Sequence, residues 1–257
     1  TGKDRGITFR HLADMTSGYA RPEPPGAAFA YNDYAIALYQ KTLFDKVFAG
    51  GGEPDATRAM FAPDRLGALR FQDAPWLTAN RHLIASVRDF ARIGWFWLNL
   101  GRWNDRDLLP SRHFERWMRP DVPPDLPNSA PAATQDSLRV GSFGGGSDHF
   151  TRYGAGIYGF NWWFNARGRN HPQRSTWPEA PADTIMTIGF GGNCSVVIPS
   201  RGVVLASACG RWGKLEPDNP NALMNRVLKL LNQATSPRVV ATGLFVEEAA
   251  GPGANNQ

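Results

Sequence analysis

Glycine fills three of the four positions from 189 to 192, in the run Gly189-Phe190-Gly191-Gly192-Asn193, inside a stretch otherwise rich in β-branched residues. Glycine weakens a strand. A cluster of this kind therefore marks either a close approach by a bound molecule or a β-bulge or tight bend with no chemistry of its own. Under the first reading a substrate lies along a strand edge at this point. Tyr31 is a second candidate, because it stands where a proline-rich loop, Arg21 to Gly26, meets a helical pattern. That junction presents a phenol in an exposed, supported position, although a tyrosine before a helix is also commonly a packed aromatic. Asp148 and His149 follow another glycine run and suit either substrate contact or solvent. Trp162, Trp163, Trp177 and Trp212 suit an apolar pocket or a core. Cys194 and Cys209 fall on one face of the hairpin described next, but diagonally, which favours two free thiols and leaves the redox compartment open. No Cys/His spacing resembles a metal site, and no cofactor is expected.

The elements that must position these residues can be read from hydrophobic periodicity. Thr184 to Phe190, Cys194 to Ile198 and Val203 to Ala208 read as antiparallel strands, with Pro199-Ser200-Arg201-Gly202 as a turn. Ile157 to Phe164 reads as a strand joining the same sheet. Thr8 caps a short helix carrying Phe9, Leu12 and Met15 on one face and ending at Gly18. A second helix starts at Asn32 or Asp33 as its cap, with Ile36, Tyr39, Leu43 and Val47 on one side. Gly50 to Gly52 reads as a linker into an irregular region that runs to about Leu83. Ser86 and Asp89 form a capping-box pattern before Phe90, Ile93 and Trp97. Ser111 opens a shorter helix with Phe114, Trp117 and Met118. Residues 121–134 read as a proline-rich surface connection and 141–146 as a rim loop. A last helix begins at Pro220 with Leu223, Val227, Leu230 and Leu231 on one side, and residues beyond about 236 form a tail. The expected fold class is α/β (α+β): an antiparallel sheet flanked by helices plus a helical region. The expected organisation is a mainly helical region over 1–140, a sheet region with its closing helix over 141–235, and the tail over 236–257.

A chain of 257 residues with 42% hydrophobic content can bury a substantial core. No apolar run reaches the ~20 residues that a membrane span needs. The formal charge is +5, yet the basic residues are mostly arginines scattered along the chain. Scattered arginines fit a solvated surface and ion pairs better than a nucleic-acid footprint. The first residues, TGKDRGITF, show no secretion signal and no initiator Met, so the chain is expected to start at a processing, proteolytic or cloning boundary.

Three segments, in this order, resemble the serine hydrolase superfamily of class C β-lactamases, D-alanyl-D-alanine carboxypeptidases and related esterases. Ile7 to Gly18, ITFRHLADMTSG, is similar to that family's IRHLLTHTSG segment. Phe29 to Leu38, FAYNDYAIAL, is similar to its FxYSNxGYxL segment. Gly189 to Gly202, GFGGNCSVVIPSRG, is similar to its GHTGxxG strand and the following turn. SVRDFARIGWFWLNLGRWN and YGFNWW, beginning at Ser86 and Tyr158, add to the resemblance. It implies a β-lactamase/transpeptidase-like fold and an acyl-enzyme mechanism on a small ester or amide. It also points, slightly, to a periplasmic or secreted location.

By this resemblance Tyr31 takes the place of the YxN tyrosine as general base or acid, and the backbone N–H of Asn193 is one donor of the oxyanion hole. Asp33, Phe190, Gly191 and Gly192 would line the substrate site. A serine hydroxyl is a poor nucleophile until a neighbouring base takes its proton, which a Lys or a Tyr of lowered pKa can do. Preorganised backbone donors then stabilise the oxyanion, worth ~3 to 4 kcal/mol each. The departures from the family pattern are specific. Asp33 replaces the Asn of YxN, placing an anion where the family has an amide and favouring a positive neighbour. Phe190 and Gly191 replace the Lys or His and the Thr of the third motif, so the carboxylate-binding chemistry of true β-lactamases looks lost. No Ser-x-x-Lys occurs anywhere in the sequence. The fold is therefore expected to be N-terminally incomplete, with the nucleophile on a missing segment and the chain inactive without it. Two other functions stay open: a non-catalytic binding protein that keeps the cleft, and an N-terminal nucleophile hydrolase using Thr1. His11 falls on a family position but reads as structural.

Overall fold

The computed structural model of the chain describes residues 2–48, 55–79, 81–130, 135–142, 153–208, 219 and 221–235. Several expectations fall outside them: those on Thr1, Gly50 to Gly52, residues 143–146, Asp148, His149, Cys209, Trp212, Pro220 and the tail.

The centre of the molecule is a five-stranded antiparallel sheet, in which each strand pairs with the next in sequence. Its strands are β5 (Tyr158–Gly159), β6 (Trp162–Phe164), β7 (Ile185–Ile188), β8 (Cys194–Ile198) and β9 (Val203–Ser207). The alternation of a strand divides its side chains between two cores. On β8, Cys194, Val196 and Ile198 enter one core and Val197 the other. On β6, Trp163 enters the first core, and Trp162 and Phe164 the second. A sheet buried on both faces needs a helical layer on each side. One face carries α1 (Phe9–Ala13), α2 (Asp33–Thr42) and α6 (Leu223–Ala234), through Leu12, Ala35, Leu38, Met224 and Leu228. The other carries α4 (Val87–Leu98) and α5 (Ser111–Trp117), through Phe96 and Phe114. Gly94 lets α4 lie directly on the sheet: a Cβ there would come within 2.7 Å of Ser195 Oγ and of a Val204 methyl. Smaller pieces among the described residues include α3 (Ala56–Met60) and two small hairpins, β1 (Trp76–Leu77) with β2 (Leu83–Ile84) and β3 (Arg102–Trp103) with β4 (Arg106–Asp107).

Several local expectations are corrected. Ile157 to Phe164 is two strands, because Phe160 and Asn161 both take positive φ, 49° and 66°, and turn the chain back on itself. Two consecutive left-handed residues make the tight turn whose twist matches paired strands. β7 stops at Ile188, since Phe190 to Gly192 form a 3-10 turn in which Gly191 has φ 73°. The first helix ends at Ala13, well before Gly18, and Met15 takes φ 55°. Asp89 does not close a capping box with Ser86; its carboxylate accepts from the N–H groups of Gln72 and Asp73 at 2.8 Å each. On α6, Leu223 and Leu230 face solvent while Met224 and Leu228 are buried, so the apolar stripe lies one position round from the expected one. The connection from Asp121 is not wholly superficial. Val122 is buried, and Phe29 pairs with the segment through the Pro127 carbonyl and the Ser129 N–H, both at 2.9 Å.

Candidate active site

Tyr31 precedes α2 by two residues, and the cap explains why the helix starts there. The Asn32 side chain accepts from the Ala35 N–H at 2.9 Å and donates to the Ala30 carbonyl at 3.3 Å. Asn32 is therefore the cap, and Asp33 is the first helical residue, buried in the opening turn. A carboxylate at that end is favoured by the helix dipole. The Tyr31 ring packs against two aromatics of the β5–β6 hairpin, Tyr158 at 5.5 Å and Trp163 at 5.1 Å between centroids. Burial, followed by the nearby Asp33 charge, raises the Tyr31 phenol to about 12. The group is thus held as a neutral phenol, a proton donor. Base work by Tyr31 requires a cation close enough to offset both effects.

The glycine cluster sits at the far end of β7. The Gly189 N–H donates to the Asn193 carbonyl at 2.7 Å, closing the turn from Gly189 to Asn193. Gly191 and Gly192 have φ of 73° and 84°. That conformation alone calls for glycine, so part of the cluster is explained by backbone geometry. From below, the Ser207 hydroxyl donates to the Gly192 carbonyl at 2.6 Å and lies 3.1 Å from the Cys194 thiol. The turn is consequently fixed to β9. The Phe190 side chain lies outside the described residues.

The two halves meet through the sheet. Trp163, the wall of Tyr31, stands opposite Met186 in the β6–β7 register. Gly189 follows Met186 by three residues, about 10 Å of extended chain. β6 pairs with β7 only at Ile185 and Met186, so from Thr187 onward that side of β7 has no strand beside it among the described residues. Among the described residues, the unpaired side of β7 next to Gly189 thus lies one strand away from β6, whose Trp163 buttresses Tyr31.

The hairpin tip that carries this buttress was not legible as a site element. The Phe160 N–H donates to Asp14 Oδ1 at 2.8 Å and the Asn161 N–H to the Ala13 carbonyl at 2.9 Å. Phe160 also stacks on Trp117, with 4.3 Å between centroids and 15° between planes. Burial raises the Asp14 carboxyl to about 6. Its neighbour Asp121 is also pushed up by burial, but hydrogen bonds from Arg116, Asp14 and Arg10 hold it below the usual range. The only sequence signal was an acidic residue between the apolar Ala13 and Met15. His11 has a structural role: its Nδ1 accepts from the Thr8 N–H at 3.3 Å, completing the α1 capping box. Trp162, Trp163 and Trp177 are core residues.

No protein-family model matches the chain, and a search of curated proteins finds no match. Among solved structures, the chain is similar to a protein of Bacteroides dorei DSM 17855 whose crystal structure is described as that of a "putative beta-lactamase". The two are 16% identical with a TM-score of 0.50, over 89% of this chain and 73% of the other. At that identity the likeness speaks for the fold alone: the chain has a β-lactamase-like fold of antiparallel sheet and helices.

Proposed function

We propose that this chain belongs to a serine hydrolase of the β-lactamase-like class, acting on an ester or small amide through an acyl-enzyme. Tyr31 serves as the proton-transferring phenol, and the backbone at Asn193 contributes to the oxyanion hole. Asp33, Phe190, Gly191 and Gly192 border the substrate. The observation that carries the reading is the placement of Tyr31 against Trp163, on the strand pair whose edge, unpaired among the described residues, leads into the glycine turn. The nucleophile comes from a segment bearing Ser-x-x-Lys outside these 257 residues. Its Lys would be the cation that Asp33 favours and that Tyr31 needs to lose its proton. The outer strand β9, with Val203 to Ala206 only half-buried, offers such a segment a place to dock.

A binding protein without catalysis is the second reading, favoured by the Tyr31 phenol being held neutral at about 12. The test compares the 257-residue chain with a version extended upstream, using a chromogenic short-chain ester. The expected result is turnover only by the extended protein, lost in Tyr31→Phe. If the extended protein carries no Ser-x-x-Lys and shows no turnover, the binding reading replaces the hydrolase. Full turnover by the isolated chain, abolished by Thr1→Ala and untouched by Tyr31→Phe, would instead promote an N-terminal nucleophile.

A further inference from the structure

A cavity of about 680 Å³ opens on the opposite side of the sheet from Tyr31, between the 3-10 turn at Leu66 to Leu69, the C-terminal half of α4 and the β3–β4 hairpin. It shares no lining residue with the candidate active site. Its wall is mainly apolar, with Phe48, Met60, Leu66, Phe96, Trp103 and Leu108 among the contributors. The volume is that of a site for a small organic molecule.

Its polar groups have one sign. Arg65, Arg70 and Arg106 line it against a single Asp64, a formal charge of 3 − 1 = +2. Arg65 is already engaged, donating to the Ala59 carbonyl at 2.6 Å while its guanidinium lies 4.5 Å over the Phe48 ring. Arg70 and Arg106 are exposed and pair with no carboxylate among the described residues. Arg70 is held at φ 50°, a conformation that a residue with a Cβ adopts only at a cost. Arg106 stands opposite Trp103 in the β3–β4 register, so the two side chains share one face of the hairpin. The Trp103 indole N–H is buried and has no acceptor among the described residues. A buried donor without a partner is costly, and an acceptor brought by a ligand would remove that cost.

We infer that this cavity binds a small amphipathic carboxylate: an alkyl chain occupies the apolar interior, and the carboxylate is taken by Arg70 and Arg106 beside the Trp103 N–H. One guanidinium fork matches a carboxylate in charge and geometry, and a second adds favourable charge beside it. An alcohol or an amine of equal chain length satisfies the apolar wall but not the arginines. The inference does not depend on hydrolase activity, because the site uses none of the proposed catalytic residues.

The test titrates the 257-residue chain with decanoate, 1-decanol and decylammonium, following the 15N–1H indole signals, that of Trp103 being assigned from Trp103→Phe. Decanoate is expected to move the Trp103 indole signal and to bind at least ten-fold more tightly than the other two. Arg70→Gln with Arg106→Gln should weaken decanoate at least ten-fold, while Tyr31→Phe leaves it unchanged. Both arginines are exposed, so the double variant is expected to melt with the parent. Equal affinity for the three ligands, decanoate binding indifferent to the arginines, or binding lost in Tyr31→Phe would each overturn the assignment.

Discussion

The rings of Tyr31 and Trp163 lie 5.1 Å apart, tilted by 38°, although one residue precedes a helix and the other sits on a central strand. The phenol is therefore positioned by the sheet as much as by its own helix. Trp163 is 1% exposed, and its replacement by Ala should cost about 3 to 5 kcal/mol in denaturant unfolding. Tyr31→Phe keeps the ring contacts and should change stability by no more than the roughly 1.5 kcal/mol net worth of one hydrogen bond. In the extended protein the same change should lower turnover by at least about 100-fold. Unchanged turnover in Tyr31→Phe would make the residue a packing aromatic.

The glycine turn gives a second expectation. Gly191→Ala and Gly192→Ala place a Cβ on residues with φ of 73° and 84°, and each should cost roughly 1 kcal/mol. Ser207→Ala removes the hydrogen bond to the buried Gly192 carbonyl and should cost about 1 to 3 kcal/mol. Urea titration of the three variants checks both figures. If Gly191→Ala is neutral in stability but impairs substrate binding, close approach rather than backbone geometry dictates glycine there.

Asp14 should make stability depend on mildly acid pH. Its folded carboxyl, raised to about 6 by burial, keeps its proton at pH values where the unfolded one has lost it, near 4. Its contribution is complete below about 4 and is lost as pH rises through about 6. Asp121, held low, works in the opposite sense and contributes above the ordinary carboxylate range. Asp14→Asn retains an acceptor for the Phe160 N–H and removes the buried charge. It should flatten the profile between about 4 and 6 and raise stability above that range. Asp14→Ala leaves that N–H without its partner and should be about 1 to 3 kcal/mol less stable than Asp14→Asn at every pH. Equal effects of Asn and Ala would show that the charge, not the acceptor, matters.

At the alkaline end the buried phenols should limit stability. Burial pushes Tyr19 and Tyr31 each to about 12, helped at Tyr19 by its hydrogen bond to Asp136 and at Tyr31 by Asp33. Tyr158 and Tyr39 are raised as well, again through burial first. An unfolded tyrosine ionises near 10, so the stability that these neutral phenols contribute is whole below about 10 and lost as pH climbs toward 12. Phenolate absorbance should therefore rise together with unfolding as measured by circular dichroism. Tyr31→Phe should move that transition to higher pH. Phenolate formation well before unfolding would contradict the burial of these rings.

The sequence was most informative where local chemistry decides the structure. The β8–β9 hairpin and its turn fall where β-branched runs and Pro199 to Gly202 placed them, because the period of 2 and a glycine at φ 62° leave little choice. Ser86 as the α4 cap is another case, its hydroxyl accepting from the Asp89 N–H at 3.1 Å. Where distant groups decide, reading failed. Phe160 and Asn161 carry no glycine signal for a tight turn; Asp14, Ala13 and Trp117 impose it. Asp89 fits a capping box by spacing, yet the Gln72 and Asp73 amides claim its carboxylate. At the candidate site, the motif proposes Tyr31, whereas its packing on Trp163 and Tyr158 follows from a pairing that no local pattern encodes.

The Asp14–Phe160 hydrogen bond joins residues 146 apart in the chain, whereas every strand of the central sheet pairs with its sequence neighbour. Short-range pairings close cheap loops and form early, while contacts of that span wait for them. The sheet should accordingly assemble first, and the N-terminal helices should dock onto the hairpin tip afterwards. Tyr31 then reaches its place only in the final stage of folding. Damage at Asp14 or at the Tyr31 contacts should consequently quicken unfolding while leaving the folding rate almost untouched. The candidate active site would thus be completed in two stages, its glycine turn with the sheet and its phenol last.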